Sequence, residues 1–458
     1  MPCRDAAGLP IGSATERIVF RSSATEADHE PKCRYSHTTR MEKDVTSHMP
    51  KDVTPLLPFP VRAVKPSRAV ARRKPLAVAG LFAGIGGVEL GLRKAGHESQ
   101  VLCEIEPTAQ AVLRRRFDGV PLHDDVTTLR SLPKGVELLT GGFPCQDLSQ
   151  AGKTAGILDG KRSSLVGEVF RLVKKHDVPN VLLENVPFML KLDSGQAMHV
   201  LADAFEKLGY SWAYRVVNSQ AFGVPQRRER VIFLASKEID PREVLLGEEV
   251  QEPTPPADPL GKLACGFYWT EGIRGLGWAV DAVPTLKGGS TIGIPSPPAI
   301  VLPNGEVVTP DIRDAERMQG FPAGWTAPAA TVAKDSCRWK LVGNAVTVDL
   351  FHWVGKRLRA PLPAGALLDG RRIKANAGWP SAGWNCGEGR FGTELSTFPC
   401  IRSREPLVDW LRHPGKPLSL RATNGFLERT TRSSLRFPPR FLELIRQHQR
   451  RVSADARG

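Results

Sequence analysis

The sequence predicts an α/β protein, with a doubly wound, mostly parallel sheet of the Rossmann-like kind and a smaller irregular second domain. From residue 76, apolar stretches of strand length alternate with amphipathic helical stretches. Between residues 237 and 311 the alternation stops, and proline and glycine become frequent. Doubly wound sheets bind ligands beyond the carboxyl ends of their strands, so functional residues are expected there.

The predicted elements follow one another along the chain. The strands lie at residues 76–82, 100–105, 136–140, 180–183 and 231–235. The helices lie at 87–94, 108–117, 164–175, 196–208, 312–318, 346–358 and 439–447. They divide the chain into a disordered basic extension (1–74), a main domain (75–236 and 312–360), a second domain (237–311) and a basic C-terminal extension (361–458).

Charge is distributed unevenly along the 458 residues, whose net charge is +15. Residues 1–75 carry 14 basic and 8 acidic side chains, residues 361–458 carry 17 and 8, and the stretch between them is balanced. Basic ends suit a polyanion through phosphate neutralisation, although solvated tails would show the same excess.

There is no apolar run of ~20 residues, no apolar core of a secretory signal and no CxxC pair among the eight cysteines. We expect a soluble cytoplasmic protein with free thiols and no metal site.

A glycine-rich turn, Phe82-Ala83-Gly84-Ile85-Gly86-Gly87, follows the first strand. Such glycines let backbone approach a ligand closely, although a tight packing turn would use them too. The next strand ends in Glu104-Ile105, where an acid can bind the ribose of a nucleoside-type cofactor, and Asp125 could accept from an adenine amino group. Glu89 replaces the third glycine of the dinucleotide pattern. A cofactor without phosphates, such as S-adenosylmethionine, is therefore favoured over a pyrophosphate-bearing dinucleotide.

Two further signals follow later strands. Pro144-Cys145-Gln146 comes shortly after the strand at 136–140 and places a cysteine at the ligand-binding edge. That thiol is either a nucleophile or a buried structural thiol. A free cysteine has a pKa of about 8.5 and is only a few per cent thiolate at neutral pH, so a nucleophilic role would be favoured by nearby cationic groups. Glu184-Asn185-Val186 ends the strand at 180–183, so the Glu184 carboxylate would face the same cleft.

The ordered set of motifs resembles the cytosine-C5 DNA methyltransferase family of bacterial restriction–modification systems. The match covers about residues 76–236 and 310–358. Its motifs are the glycine turn, Glu104, Asp125-Val126, Pro144-Cys145-Gln146, Glu184-Asn185-Val186, Gln226-Arg227-Arg228-Glu229-Arg230, the segment 313–322 and Gly343-Asn344-Ala345-Val346. The resemblance implies that the main domain is an AdoMet-dependent catalytic domain and that 237–311 is a target-recognition domain.

The resemblance also implies roles for the matched residues. Cys145 would add to C6 of a flipped-out cytosine, and Glu184 would bind N3 and the exocyclic amine. Arg228 and Arg230 would hold the base, its phosphate or the glutamate, or they could form a strand-edge charge cluster with Glu229. The cofactor-binding residues by position are Phe82, Gly84, Gly86, Gly87, Glu104, Ile105, Asp125, Val126, Pro144, Leu165, Asn344 and Val346. Ile105 stands where many members have an aromatic residue, and an aliphatic contact can replace it.

The activity that the resemblance implies is methylation of cytosine C5 in a short duplex DNA sequence by a monomeric bacterial enzyme that uses S-adenosylmethionine. A tRNA cytosine methyltransferase of the same family is the alternative, and the variable block and basic ends favour DNA. The missing third glycine disfavours an NAD-dependent oxidoreductase. A DNA-binding regulator without turnover is disfavoured because Cys145, Glu184 and Arg230 are all present. Arg274, Lys287 and Thr291 could read bases or be ordinary loop residues.

Overall fold

A central ten-stranded sheet organises the computed structural model, which describes residues 72–143, 165–271, 273–289, 295–364, 368–374 and 378–455. Its parallel half has the order β3-β2-β1-β4-β5. These strands are β1 (Ala77–Leu81), β2 (Glu98–Cys103), β3 (Leu122–His123), β4 (Leu138–Gly141) and β5 (Asn180–Asn185). The strand order reverses at β1, which is where sheets of this kind bind ligands.

The other half of the sheet is antiparallel. β8 (Glu229–Ser236) pairs with both β5 and β6 (Ser211–Asn218). The sheet then continues through β15 (Ala382–Asn385), β16 (Phe391–Thr393) and β14 (Arg371–Arg372). The predicted α/β fold class is confirmed, with the parallel strands forming one half of a mixed sheet. The three outermost strands come from residues 361–458, the predicted basic C-terminal extension.

Helices cover both faces of the sheet. Those that alternate with strands are α1 (Gly87–Lys94), α2 (Pro107–Arg116), α3 (Leu165–His176) and α4 (Gln196–Lys207), and those that follow are α5 (Pro241–Leu245), α6 (Ile312–Met318), α7 (Cys337–Asn344) and α8 (Val348–Arg359). Successive strand residues enter different apolar cores: Val78 and Leu138 share a core with α8, whereas Ala79 and Leu139 share one with α3 and α4. This alternation buries both faces of the sheet, as a doubly wound architecture requires.

A second, antiparallel sheet has the strand order β10-β9-β12-β13-β17. Its strands are β9 (Cys265–Phe267), β10 (Ala279–Val280), β12 (Ala299–Val301), β13 (Val307–Thr309) and β17 (Lys416–Pro417). After α9 (Leu407–Trp410), helices α10 (Leu420–Thr431) and α11 (Phe441–Asp455) pack on this sheet. The predicted block at 237–311 is therefore one part of this domain, and residues 416–455 supply the rest. β7 (Gln226–Arg227) pairs with β11 (Val283–Pro284) and links the block to the segment that leads into β8.

The predicted elements lie close to their observed boundaries, except that the helix predicted at 439–447 extends to Asp455. The eight-residue strand β6 and the helices α7 and α10, among other elements, were not predicted. Residues 1–71, most of the predicted basic extension, lie outside the described residues. Among the described residues, none of the helices combines the length and apolar character needed to cross a membrane.

Candidate active site

A cavity of about 380 Å³ lies at the carboxyl ends of the parallel strands. Its walls come from the turn after β1, the ends of β2 and β4, the start of α3 and the end of α7. Eight residues of the predicted cofactor set line it: Phe82, Gly84, Glu104, Ile105, Asp125, Val126, Leu165 and Asn344. The structure thus brings together residues that are up to 262 positions apart in the chain.

The Glu104 carboxylate is held in place by backbone donors. Its Oε2 accepts a hydrogen bond from the Gly84 N–H at 2.7 Å, and its Oε1 accepts one from the Glu106 N–H at 2.9 Å. The neighbouring Ile105 side chain is 69% exposed, although it is apolar. The cavity therefore offers a fixed carboxylate and an uncovered aliphatic surface side by side, which suits a nucleoside with ribose hydroxyls and an aromatic base.

The glycines of the first turn serve different purposes. Gly84 has φ +56°, and a Cβ there would have no atom within 4 Å, so it leaves the cavity open. At Gly86, with φ +81°, a Cβ would lie 2.2 Å from the Phe117 ring, and at Gly87 it would lie 2.8 Å from Val346. Gly86, Gly87 and Val346 are not among the cavity residues. Their contacts among the described residues are packing contacts, and their cofactor contact stays a prediction.

Glu184 and Arg230 form an ion pair at the adjoining ends of β5 and β8. Arg230 Nε lies 2.7 Å from Glu184 Oε1, and the side chains are 11% and 13% exposed. Gly142, which lines the cavity, also touches this pair, because a Cβ there would lie 3.2 Å from Glu184 Oε2. The Asn185 side chain donates to the Phe143 carbonyl at 3.0 Å. Phe143 directly precedes Pro144 and Cys145, both of which lie outside the described residues.

Arg228 occupies a different environment from Arg230. It is 2% exposed, and its guanidinium donates to the carbonyls of Leu286 (3.1 Å), Gly343 (3.3 Å) and Ala345 (2.6 Å). Burial holds the pKa of Arg228 well below its ordinary value. These carbonyls take up Nη1 and Nη2, whereas the buried Nε has no hydrogen-bond partner among the described residues. Arg228 ties the segment after β11 to the end of α7, and its catalytic role stays a prediction.

An ion pair that the sequence did not reveal also lines the cavity. Lys340 Nζ lies 2.8 Å from Glu106 Oε2, and the hydrogen bond from Lys340 lowers the pKa of Glu106. Lys340 precedes Asn344 by one helical turn, so it lies on the same face of α7. This four-residue spacing from Asn344 is the feature of the sequence that could have predicted Lys340 at the cavity.

Glu89 lies buried beneath the site. Its Oε1 accepts from the Thr140 hydroxyl at 3.4 Å, whereas its Oε2 has no hydrogen-bond partner among the described residues. Gly80 makes room for this carboxyl, because a Cβ at Gly80 would lie 2.3 Å from Glu89 Oε1. Burial raises the pKa of Glu89 to about 7. The residue that replaces the third glycine of the dinucleotide pattern is thus a core carboxyl.

Comparison with known proteins agrees with the geometry. Residues 76–258 match the family model for C-5 cytosine-specific DNA methylases. The chain is 46% identical over 370 residues to the type II methyltransferase M2.BsuMI of Bacillus subtilis (strain 168), covering 78% of this chain and 93% of that protein. It is 26% identical to the type II methyltransferase M.HhaI of Haemophilus parahaemolyticus, covering 62% and 94%. The solved structure of the Entamoeba histolytica methyltransferase EhMeth matches with a TM-score of 0.46 and 15% identity, covering 62% and 98%. The chain belongs to the C-5 cytosine-specific DNA methylase family.

Proposed function

We propose that this DNA cytosine-5 methyltransferase transfers a methyl group from S-adenosylmethionine to C5 of a flipped-out cytosine in a specific short duplex sequence. We further propose that it acts as a monomer and as the modification enzyme of a restriction–modification system. The observation that carries the proposal is the Glu184–Arg230 pair, which adjoins the cavity through Gly142. A cofactor cavity and a base-binding carboxylate then share one wall.

The cavity residues fit S-adenosylmethionine. Glu104, fixed by two backbone N–H groups, would accept from the ribose hydroxyls, and the exposed Ile105 would cover one face of the adenine. Asp125 would accept from the adenine amino group, with Phe82 and Asn344 completing the walls. When bound, the cofactor supplies a methyl group attached to a positively charged sulfur.

The chemistry explains why a thiol and a carboxylate are needed together. Cytosine C5 is a poor nucleophile until the Cys145 thiolate adds to C6, which makes C5 an enamine carbon that can accept the methyl. Glu184 would bind the N3 and amino edge as negative charge moves onto the ring, and Arg230 would keep the carboxylate oriented. Loss of the C5 proton then expels Cys145 and restores the aromatic ring. A cytosine stacked in a duplex cannot present C6, so the base must leave the helix.

Labelled methyl transfer tests the proposal. With S-adenosylmethionine carrying a labelled methyl group, we expect label in duplex DNA and none in tRNA, and bisulfite sequencing of the product will locate one short site. Cys145→Ser is expected to transfer no label and still bind DNA. Transfer to tRNA with none to DNA would overturn the choice of substrate.

A further inference from the structure

The last two helices are fixed parts of the second domain. Phe267 of β9 packs its ring against Phe426 of α10 and Phe441 of α11, with centroids 5.2 and 5.1 Å apart. All three rings are buried. Because this core joins strands and helices that are more than 150 residues apart, the segment between the helices is held in a defined place on the domain.

That segment, residues 432–440, is here called the arginine loop. Its three arginines, Arg432, Arg436 and Arg440, are all exposed. Arg432 pairs with Glu428, but Arg436 and Arg440 have no ion-pair partner within the described ranges. Arg440 also has φ +63°, a conformation that is unusual for a residue other than glycine. Two uncompensated guanidinium groups are therefore presented to solvent from an anchored loop.

Contacts join the arginine loop to the segment that follows β9. Arg429, just before the loop, donates to the carbonyls of Trp269 (2.7 Å) and Glu271 (3.1 Å), and Ser433 donates to the carbonyl of Ile273 (3.1 Å). The Glu271 carboxylate pairs in turn with Lys287.

From Lys287 the contacts reach the cavity itself. The Lys287 carbonyl lies so close to Gly343 that a Cβ at Gly343 would be 2.0 Å from it, and Gly343 precedes the cavity residue Asn344. A chain of contacts thus runs from the arginine loop through Glu271 and Lys287 to the end of α7, which lines the cavity.

We propose that Arg436 and Arg440 of the arginine loop bind backbone phosphates of the substrate duplex beside the target base. The proposal rests on the proposed function, because it takes duplex DNA as the substrate. Guanidinium groups suit phosphates, and phosphate contacts add affinity that is independent of sequence and sensitive to salt. The C-terminal segment then extends the DNA-binding surface of a short target-recognition block.

The test compares two double variants of the full chain. R436Q/R440Q removes the two loop charges. R446Q/R450Q removes two exposed charges from α11, the helix that follows the loop, where neither arginine has an ion-pair partner within the described ranges. The Kd for a fluorescein-labelled duplex of about three helical turns is measured by anisotropy at several salt concentrations. Thermal unfolding of each variant checks that the fold is intact.

We expect R436Q/R440Q to reduce the magnitude of the slope of log K against log salt by about 2, as loss of two phosphate contacts predicts. The slope for R446Q/R450Q should stay at the wild-type value, and this control variant should keep the wild-type rate of methyl transfer. An unchanged slope for the loop variant, or equal losses in both variants, overturns the proposal. Failure of methyl transfer by the wild-type protein would instead overturn the proposed function.

Discussion

The cofactor cavity and the second domain are assembled in different ways. Most of the cavity is built from short turns that follow neighbouring parallel strands, so each motif already sits near its partner once the sheet forms. The second domain closes only when residues 416–455 return to strands near residue 300. Local motifs therefore determine the chemistry, whereas contacts between distant segments determine the surface around it.

The largest expected effect is on the catalytic rate and concerns Glu184, which lies next to the cavity. Glu184→Gln should lower kcat by roughly 10²- to 10⁴-fold, because in the proposed mechanism the carboxylate acts on the ring during the reaction. The Kd for S-adenosylmethionine should be unchanged, since Glu184 is not among the cavity residues. Single-turnover methylation and cofactor titration measure the two quantities. Glu229→Gln is the control on the same strand. An equal loss there would restore the interpretation of Arg228 to Arg230 as a strand-edge charge cluster.

The next effect tests whether the second domain stands apart from the cavity. Phe441→Ala removes a buried ring shared by α10, α11 and β9, and should cost about 3–5 kcal/mol of stability. Cofactor binding should persist while DNA affinity falls. Phe188→Ala, at a ring that is 59% exposed, should cost little. Denaturant unfolding measures the stability of each variant, and a separate titration measures its affinity for the cofactor. Loss of cofactor binding in Phe441→Ala would show that the cavity depends on the second domain.

A third prediction concerns pH. The folded-state pKa of Glu89, raised by burial to about 7, lies above its unfolded value, so the folded state holds the proton more tightly. Stability should therefore fall as pH rises from about 4.5 to about 7. Glu89→Gln should remove that dependence and stabilise the protein by on the order of 3 kcal/mol above pH 7. Unfolding curves at pH 5 and pH 8 measure the change, and equal pH dependence in variant and wild type would contradict it.

The smallest effect concerns the rim of the cavity. Lys340→Met breaks a half-exposed ion pair worth about 1 kcal/mol or less, so the Kd for S-adenosylmethionine should rise by up to about fivefold. Lys74→Met breaks a comparable pair with Glu137 that lies away from the cavity, and should leave the Kd unchanged. Calorimetric titration distinguishes them. Equal affinities in both variants would remove Lys340 from the cofactor site.

The sequence predicted the parallel strands β1, β2, β4 and β5 and eight cavity residues because each motif lies at the end of one strand or helix. The two-residue strand β3 was not predicted. It could not separate Arg228 from Arg230, since two alternating positions look alike until the end of α7 packs on one of them. Strand β6 was missed because buried Arg215 interrupts its apolar pattern. Nη1 and Nη2 of that arginine donate to the distant carbonyls of Leu245, Glu248 and Ser396.

The contribution of residues 361–458 was unpredictable for a similar physical reason. Their strands are two to four residues long, which is too short for a periodic signal. They gain their hydrogen bonds from strands that lie far away in the chain, such as β6 and β13.

Trapping of the covalent intermediate tests the central claim most directly. A duplex that carries 5-fluorocytosine at the methylated position should form a denaturant-resistant complex with the protein in the presence of S-adenosylmethionine, because fluorine cannot leave C5 as a proton does. Peptide mapping should place the link at Cys145, and Cys145→Ser should form no complex. A preparation that methylates ordinary cytosine but never forms this complex would contradict the account.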